Sequence, residues 1–480
     1  MNIIFVSSEV SPFAKTGGLG DVSEALPLAL NKLKAHSSVI MPLYKLVRQN
    51  GFAPNLIKSG IPVKIGLRDL SFDLSSLSYK NINFYFIGND ALYDRDGLYG
   101  TPKGDHGDNA MRFAFFSKAV LESIPYIGKP DILHCNDWQT GLIPLYLRYI
   151  YKERKDFKKI KVLFAVHNMA YQGLFGKEAV EELKLPEGTF TQDGIEFYGK
   201  ASFIKSGIVY SEAVSTVSEG YAREVLTAEF GCGLDGILRT RKESLYGILN
   251  GADYSTWNPE TDKFIAGNFT KDDLRPKLEC KKDLCGEFGL EFDEDRPIIG
   301  MITRLAEQKG VDLVVEGMDG LLDLGASFVI LGTGDEKYNS LFKDFDRRYK
   351  GRAGAKVAFD NPLAHKIEAG CDMFLMPSRY EPCGLNQMYS LRYATIPIVR
   401  ATGGLKDTIE DFDPHTKKGN GFKFKEASCD AMLKAIGRAV GVFRDKKTWR
   451  ALQKNGLRCD FSWDASAKRY LELYKKIKSG

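Results

Sequence analysis

Short runs rich in β-branched and aromatic residues alternate from end to end of this chain with longer amphipathic stretches. That alternation is the signature of parallel α/β units, and it excludes all-α and all-β architectures. In the first half the pattern predicts strands near 2–7, 37–43, 82–87, 131–135, 160–166 and 213–217, with helices near 21–34, 109–124, 138–150 and 219–228. The second half repeats the scheme. Strands are expected near 297–303, 326–331, 355–359, 371–376 and 396–400, and helices near 309–323, 335–349, 363–370 and 384–393. Charge-rich sequence dotted with Pro and Gly, from about 251 to 296, separates the halves. The expected domains are therefore 1–250 and 251–460, followed by a closing helical segment, 461–480.

Charge narrows the partners. The 480 residues carry 67 Lys and Arg against 62 Asp and Glu, a formal net charge of +5, with no run of five like charges. A protein that neutralises nucleic-acid phosphates carries a larger or clustered basic excess, so nucleic acid is not an expected partner. Eight Cys, at 135, 232, 280, 285, 371, 383, 429 and 459, show no paired CxxC spacing that would make a zinc or redox motif. The expected compartment is the reducing cytoplasm. The first residues, Met1–Val6, lack the basic region and apolar core of a signal peptide. No stretch approaches the roughly 18 uncharged apolar residues of a membrane helix.

Two glycine-rich turns stand out. Thr16-Gly17-Gly18-Leu19-Gly20-Asp21 follows the first strand, and Thr402-Gly403-Gly404-Leu405-Lys406-Asp407 follows the strand near 396–400. Both place TGGL before a helix in the same strand-to-helix context, which reads as a pseudo-repeat of two related halves. Glycines there let backbone N–H groups approach a phosphate or carboxylate; the alternative is a tight turn that packs helix on strand. The dinucleotide fingerprint G-x-G-x-x-G with a later acidic residue is not met, since the second strand ends Val39-Ile40-Met41-Pro42-Leu43. A Walker loop is absent too.

Ligands of open parallel sheets bind beyond the carboxyl ends of the strands. The polar residues there are Lys15, Asp137, His167 and Asn168 in the first half, and Arg304, Lys309 and Glu381 in the second. A lone Lys is usually a solvated residue and an Asp before a helix usually a cap. Three cations, Lys15, Arg304 and Lys309, beside glycine turns suit a diphosphate leaving group, whose charge needs neutralising in the transition state. Asp94-Arg95-Asp96 has the form of a metal-binding pair but lacks a nearby His or Glu set, so no metal site is expected.

Several segments carry a resemblance. Lys15-Thr16-Gly17-Gly18-Leu19-Gly20-Asp21-Val22 resembles the N-terminal signature of bacterial glycogen synthases and plant starch synthases. The family's pattern recurs in His134-Cys135-Asn136-Asp137-Trp138, His167 to Gly173, Gly231 to Gly236 and Asn250 to Asp253. It continues in Arg304-Leu305 with Gln308-Lys309-Gly310, in Pro377 to Leu385, and in Thr402 to Leu405, in one order along the chain.

The resemblance implies an α/β fold of GT-B architecture: two Rossmann-like, doubly wound parallel-sheet domains facing across a cleft, with the final helix crossing back to the first. It implies a retaining transfer of glucose from ADP-glucose to the non-reducing end of an α-1,4-glucan such as glycogen, with no metal or other cofactor. Lys15, Gly18, Arg304 and Lys309 would hold the diphosphate, and Gly17, Asp21, Thr402 and Gly403 would also bind substrate. Asp137, His167 and Asn250 would face the glucosyl unit and acceptor, and Glu381 with the amides of Cys383 and Gly384 would contact the sugar. Glu381, His167 and Asp137 are the implied catalytic residues. Three positions depart from the pattern. Tyr389 stands where related transferases carry a second Glu, Phe359 where a Tyr stacks on the base, and Asn386 where a Thr is expected. A UDP-glucose transferase of the same architecture and a catalytically silent glucan-binding protein are the competing readings.

Overall fold

The computed structural model describes residues 1–480, the side chain of Asp346 excepted. The chain forms two compact units, Met1–Gly251 together with Trp463–Gly480, and Ala252–Ser462.

The first unit is built on a nine-stranded sheet. Its spatial order is Leu245–Gly247, Ala213–Thr216, Lys161–Val166, Ile132–Asn136, Asn2–Val6, His36–Pro42, Ile82–Gly88, Arg68–Tyr79 and Asn55–Ile65. The first seven are parallel, and the last two form an antiparallel hairpin on the edge. Strands such as Ile132–Asn136 are buried at every position, because helices cover both faces of a parallel sheet. Helix Asn109–Ile127 carries the chain from one side of Asn2–Val6 to the other. Its Arg112 is fully buried yet bonded: Nε donates to Leu92 O at 2.8 Å, and Nη1 to Leu98 O at 3.0 Å and Asn109 Oδ1 at 2.7 Å. This satisfies most of a costly guanidinium and pins the loop that presents Tyr99. The closing helix, Trp463–Ser479, belongs to this unit: Lys32 pairs with Asp464 at 3.0 Å and Ser466 Oγ donates to Leu249 O at 2.6 Å.

The second unit holds six parallel strands in the order Ala353–Val357, Ser327–Gly332, Ile298–Ile302, Met373–Met376, Ile396–Arg400, Phe422–Phe424. Val314, Met318 and Ile436 belong to one buried apolar cluster and Leu284, Phe288 and Ile367 to another.

The strands named from the pattern lie within two residues of their observed positions, but several elements differ from it. The hairpin Asn55–Tyr79 was not anticipated. Its first strand is exposed from Asn55 to Gly60, so no apolar alternation marks it. Residues expected to separate the halves contain helix Lys277–Phe288, part of the second unit. Two of its lysines are buried: Lys277 Nζ donates to Ala369 O, Tyr393 O and Thr395 Oγ1, and Lys281 Nζ pairs with Asp372 at 3.0 Å. Buried lysines on the inner face make an amphipathic helix look like a charged linker. The stretch 335–349 is two short helices, Glu336–Lys343 and Phe345–Arg348. Beyond residue 428 come two unanticipated helices, Cys429–Arg444 capped by Ser428 and Lys446–Leu457 capped by Asp445. Among the described residues no helix is long and apolar enough to cross a membrane.

Candidate active site

Each sheet has one point where the chain, having built outward on one side, returns to build on the other. Ligands of such sheets bind there, beyond the strand ends. In the first unit it lies between Asn2–Val6 and Ile132–Asn136, in the second between Ile298–Ile302 and Met373–Met376. The residues that follow these strands are Ser7–Glu9 and Asp137 in the first unit, and Thr303, Arg304 and Ser378–Glu381 in the second.

In the first unit the glycine turn already holds an anion, and the anion is the protein's own. The buried carboxylate of Glu9 accepts from the backbone N–H of Thr16, from Thr16 Oγ1 at 2.7 Å, from Gly17 N–H at 2.9 Å and from Tyr99 OH at 2.7 Å. The amides of Thr16 and Gly17 are thus engaged, which narrows the cradle expected from TGGL. What the turn offers outward is Gly18, at the first position of helix Gly18–Lys32, and Lys15, whose Nζ lies 2.7 Å from Asp21. Glu9 was missed in the sequence. The signal was an acid three residues beyond the buried strand Asn2–Val6 and seven ahead of the TGGL turn that begins at Thr16.

Asp137 and His167 are brought together. Asp137 has a left-handed backbone, φ +55°, an unusual state for a residue with a side chain. In it, Oδ1 accepts from the His167 N–H at 2.8 Å, while His167 Nε2 lies 2.9 Å from Asn136 Oδ1. Burial pushes the Asp137 carboxyl up to about 7; the His167 N–H opposes this and the nearby Glu9 charge adds to it. Burial also draws the His167 imidazole down to about 4. Asn250 is buried with its Oδ1 unbonded among the described residues. His134, though part of the same signature, is structural: it is buried with Nδ1 2.6 Å from Tyr474 OH and its ring 4.3 Å from that of Phe5.

These shifts set opposite pH dependences. Between pH 4 and 7 folded Asp137 keeps a proton that the unfolded chain has lost, so its contribution to stability falls as pH rises. Between pH 4 and 6.5 it is unfolded His167 that binds more protons, so its contribution rises with pH. Asp137→Asn removes the first effect only. Its stability relative to wild type is expected to climb from pH 4 to 7, as measured by urea unfolding at a series of pH values. Parallel curves for the two proteins would refute the assignment.

In the second unit Arg304, Lys309, Ser378, Glu381, Gly384 and Asn386 line one cavity of about 200 Å³. Glu381, 7% exposed, accepts at Oε2 from Lys309 Nζ at 2.6 Å and from Ser378 Oγ at 3.0 Å. Arg304 is exposed, its Nη2 3.0 Å from Gln308 Oε1. Gly384, at φ +72°, supplies a left-handed turn. The second TGGL does a different job from the first. Gly404 N–H donates to Glu381 O at 3.1 Å, and a Cβ on Gly403 or Gly404 would collide with the carbonyl oxygen of Glu381 or of Cys383. Gly403 and Gly404 therefore press the 381–383 segment into place. A methyl group on either N-terminal glycine, Gly17 or Gly18, would meet nothing within 4 Å.

The departing positions are also accounted for. Tyr389 is buried and its ring stacks on Trp257 at 4.4 Å, the opposite partner of Trp257 being His365 at 3.8 Å. It is a core aromatic. Asn386 Nδ2 donates to Ile302 O at 2.9 Å, and Phe359 is 92% exposed. The acids of Asp94-Arg95-Asp96 face cations: Asp96 pairs with Lys45 at 2.8 Å and Asp94 lies 4.0 Å from Arg48. Arg95 itself grips Asp108. Among the described residues no three His, Cys, Asp or Glu are grouped to hold a metal ion.

The starch synthase catalytic domain family matches residues 2–240, and the glycosyl transferases group 1 family residues 287–456. The chain is 50% identical to a glycogen synthase of Koribacter versatilis over 478 residues, covering 100% of this chain and 98% of the relative. It is 46% identical to a glycogen synthase of Thermosipho africanus, covering 99% of each. Among solved structures it is similar to the catalytic domain of starch synthase IV from Arabidopsis thaliana bound to ADP and acarbose. That match has 32% identity and a TM-score of 0.89, and covers 100% of this chain and 99% of the other. The expected α/β class with two Rossmann-like units therefore holds, and the chain belongs to the glycogen and starch synthase family of glycosyltransferases.

Proposed function

We propose that this chain is a glycogen synthase that transfers glucose, with retention, from ADP-glucose to the non-reducing end of an α-1,4-glucan. The observation that carries the reading is the second unit's cavity, where Arg304 and Lys309 stand beside Glu381 at the turning point of a parallel sheet. Two cations there oppose the charge that grows on a diphosphate as the bond to the sugar breaks. Glu381, with Oε2 held by Lys309 and Ser378, is suited to stabilising positive charge on the sugar, and Gly384 turns its backbone toward the same space. Exposed Phe359 offers a ring for the base. In the first unit Asp137 and His167 serve the glucosyl unit and acceptor, Lys15 and Gly18 the diphosphate, with Asp21 paired to Lys15 and Asn250 offering an unbonded carbonyl. The relatives named glycogen synthase and the neighbour bound to ADP and acarbose support this assignment.

Because Arg304 and Lys309 meet the diphosphate charge in this reading, no metal cofactor is needed; the compartment proposed with it is the cytoplasm. The test is a donor panel: ADP-, UDP- and GDP-glucose with glycogen, with and without EDTA, scored by glucose incorporation. Incorporation is expected to be greatest with ADP-glucose and to survive EDTA. Faster incorporation from UDP-glucose would move the donor assignment, and a loss on chelation restored by Mg²⁺ would overturn the metal-free reading.

A further inference from the structure

One side chain of the first unit stands where turn chemistry does not ask for it. Glu196–Phe197 and Lys200–Ser202 form an antiparallel hairpin, with Phe197 opposite Lys200, joined by Tyr198 and Gly199 alone. Both linking residues have positive φ, +47° and +79°. A two-residue turn of that kind favours Asn followed by Gly, because a side chain with a bulky Cβ substituent is strained in the left-handed region. Here the first position holds a tyrosine, and it is 83% exposed.

The hairpin is rigidly built around this ring. Gly199 N–H donates to Glu196 Oε1 at 2.7 Å, and the Lys205 ammonium donates to Glu196 O and Gln192 O at 2.6 Å each. The edge of Phe197 meets the Tyr198 ring at 4.7 Å and 86°. Behind both lies Gly233, at φ +80°, where a Cβ would come within 2.9 Å of Phe197 Cζ and 3.4 Å of Tyr198 Cε2. The glycine leaves room for the rings to rest on the loop.

The same framework holds the candidate site. Lys200–Ser202 pairs with Leu174–Phe175, and the Phe175 ring packs 5.7 Å from that of Trp138, the neighbour of Asp137. Gln172 Nε2 donates to Cys232 O at 2.8 Å, tying the loop after His167 to the loop that carries Gly233. Exposed Tyr171 and Leu174 lie on that loop and strand.

We propose that Tyr198 is a stacking platform for interior sugar rings of the α-glucan acceptor, beyond the reacting end. The inference rests on the glycogen synthase reading. A glucose ring presents a face of C–H bonds, apolar and slightly positive, that matches the negative face of an aromatic ring, and a rigid tyrosine supplies that face at little cost in conformational entropy. A polymeric acceptor must also be held beyond its terminal unit. A single ring on a two-residue turn is far smaller than the roughly 800 Å² per partner of a stable protein interface, so a sugar strand suits it better than a second protein.

The strain gives a test that separates binding from folding. Tyr198→Asn places the preferred residue in the turn, so its melting temperature is expected to equal or exceed wild type. Its affinity for maltoheptaose, measured by calorimetry, is expected to fall about three- to tenfold, and the KM penalty to be larger for maltoheptaose and glycogen than for maltotriose. Tyr198→Phe, which keeps the ring, is expected to bind as wild type does. If wild type binds maltoheptaose and Tyr198→Asn binds it equally well, the platform is refuted while the glucan reading stands. If wild type binds no maltoheptaose and elongates no glucan, both fall.

Discussion

Lys309→Ala is expected to lower kcat by about 10²–10³-fold, the loss typical of removing one electrostatic donor from a transition state. Its Nζ lies 2.6 Å from Glu381 Oε2, so the substitution does two things. It withdraws positive charge from the space where the diphosphate leaves, and it strips a buried carboxylate of its cation, with Ser378 Oγ still donating. The second effect is expected to cost roughly 2 kcal/mol of stability, the size of a hydrogen bond to a charged group. Arg304→Ala is expected to lower kcat on a similar scale without the stability loss, because Arg304 is exposed and its guanidinium bonds only polar Gln308 among the described residues. Pairing Lys309→Ala with Glu381→Gln separates the two: the double variant regains stability and stays inactive. Steady-state kinetics with ADP-glucose and glycogen, beside thermal melts, decide this. A Lys309→Ala or Arg304→Ala enzyme with near wild-type kcat would remove that residue from the site.

The strands were readable in sequence because a parallel sheet buried on both faces writes uninterrupted apolar runs such as the one over 162–166. What escaped were elements whose burial runs against residue type. Lys277 and Lys281 face inward because backbone carbonyls and Asp372 accept their hydrogen bonds, so two charged residues interrupt the apolar face formed by Cys280, Leu284, Cys285 and Phe288. The hairpin Asn55–Tyr79 escaped for the opposite reason, since half of its outer strand faces water. The candidate site shows the same division. Cations beside glycines, Lys15 and Lys309 among them, announce themselves by residue type and spacing. Glu9 does not, because its role lies in reaching amides seven and eight positions along the chain, which is a property of the folded turn. Tyr198 was invisible for a related reason: only a backbone dihedral makes it anomalous.

The two copies of the pseudo-repeat share five of six residues and differ in what surrounds them, so the same substitution has opposite consequences in each. Gly404→Ala is expected to destabilise the second unit by about 3 kcal/mol, at the upper end of overpacking costs, because its Cβ meets the backbone carbonyl of Cys383 and no side chain can swing aside. Gly403→Ala adds the strain of a left-handed backbone at φ +44° to its own collision with Glu381 O. For a unit of this size such a loss lowers the melting temperature by roughly 6–12 °C. Gly18→Ala meets nothing within 4 Å and opens a helix, where Ala outranks Gly. Its melting temperature is expected to hold or rise, while the KM for ADP-glucose rises if the donor approaches that backbone. Melting curves and donor kinetics on the two variants give a crossed result: one loses the fold, the other the substrate. Equal melting temperatures for Gly404→Ala and Gly18→Ala would mean that the second TGGL has room for a side chain as Gly18 does, and that the 381–383 segment is positioned by something else.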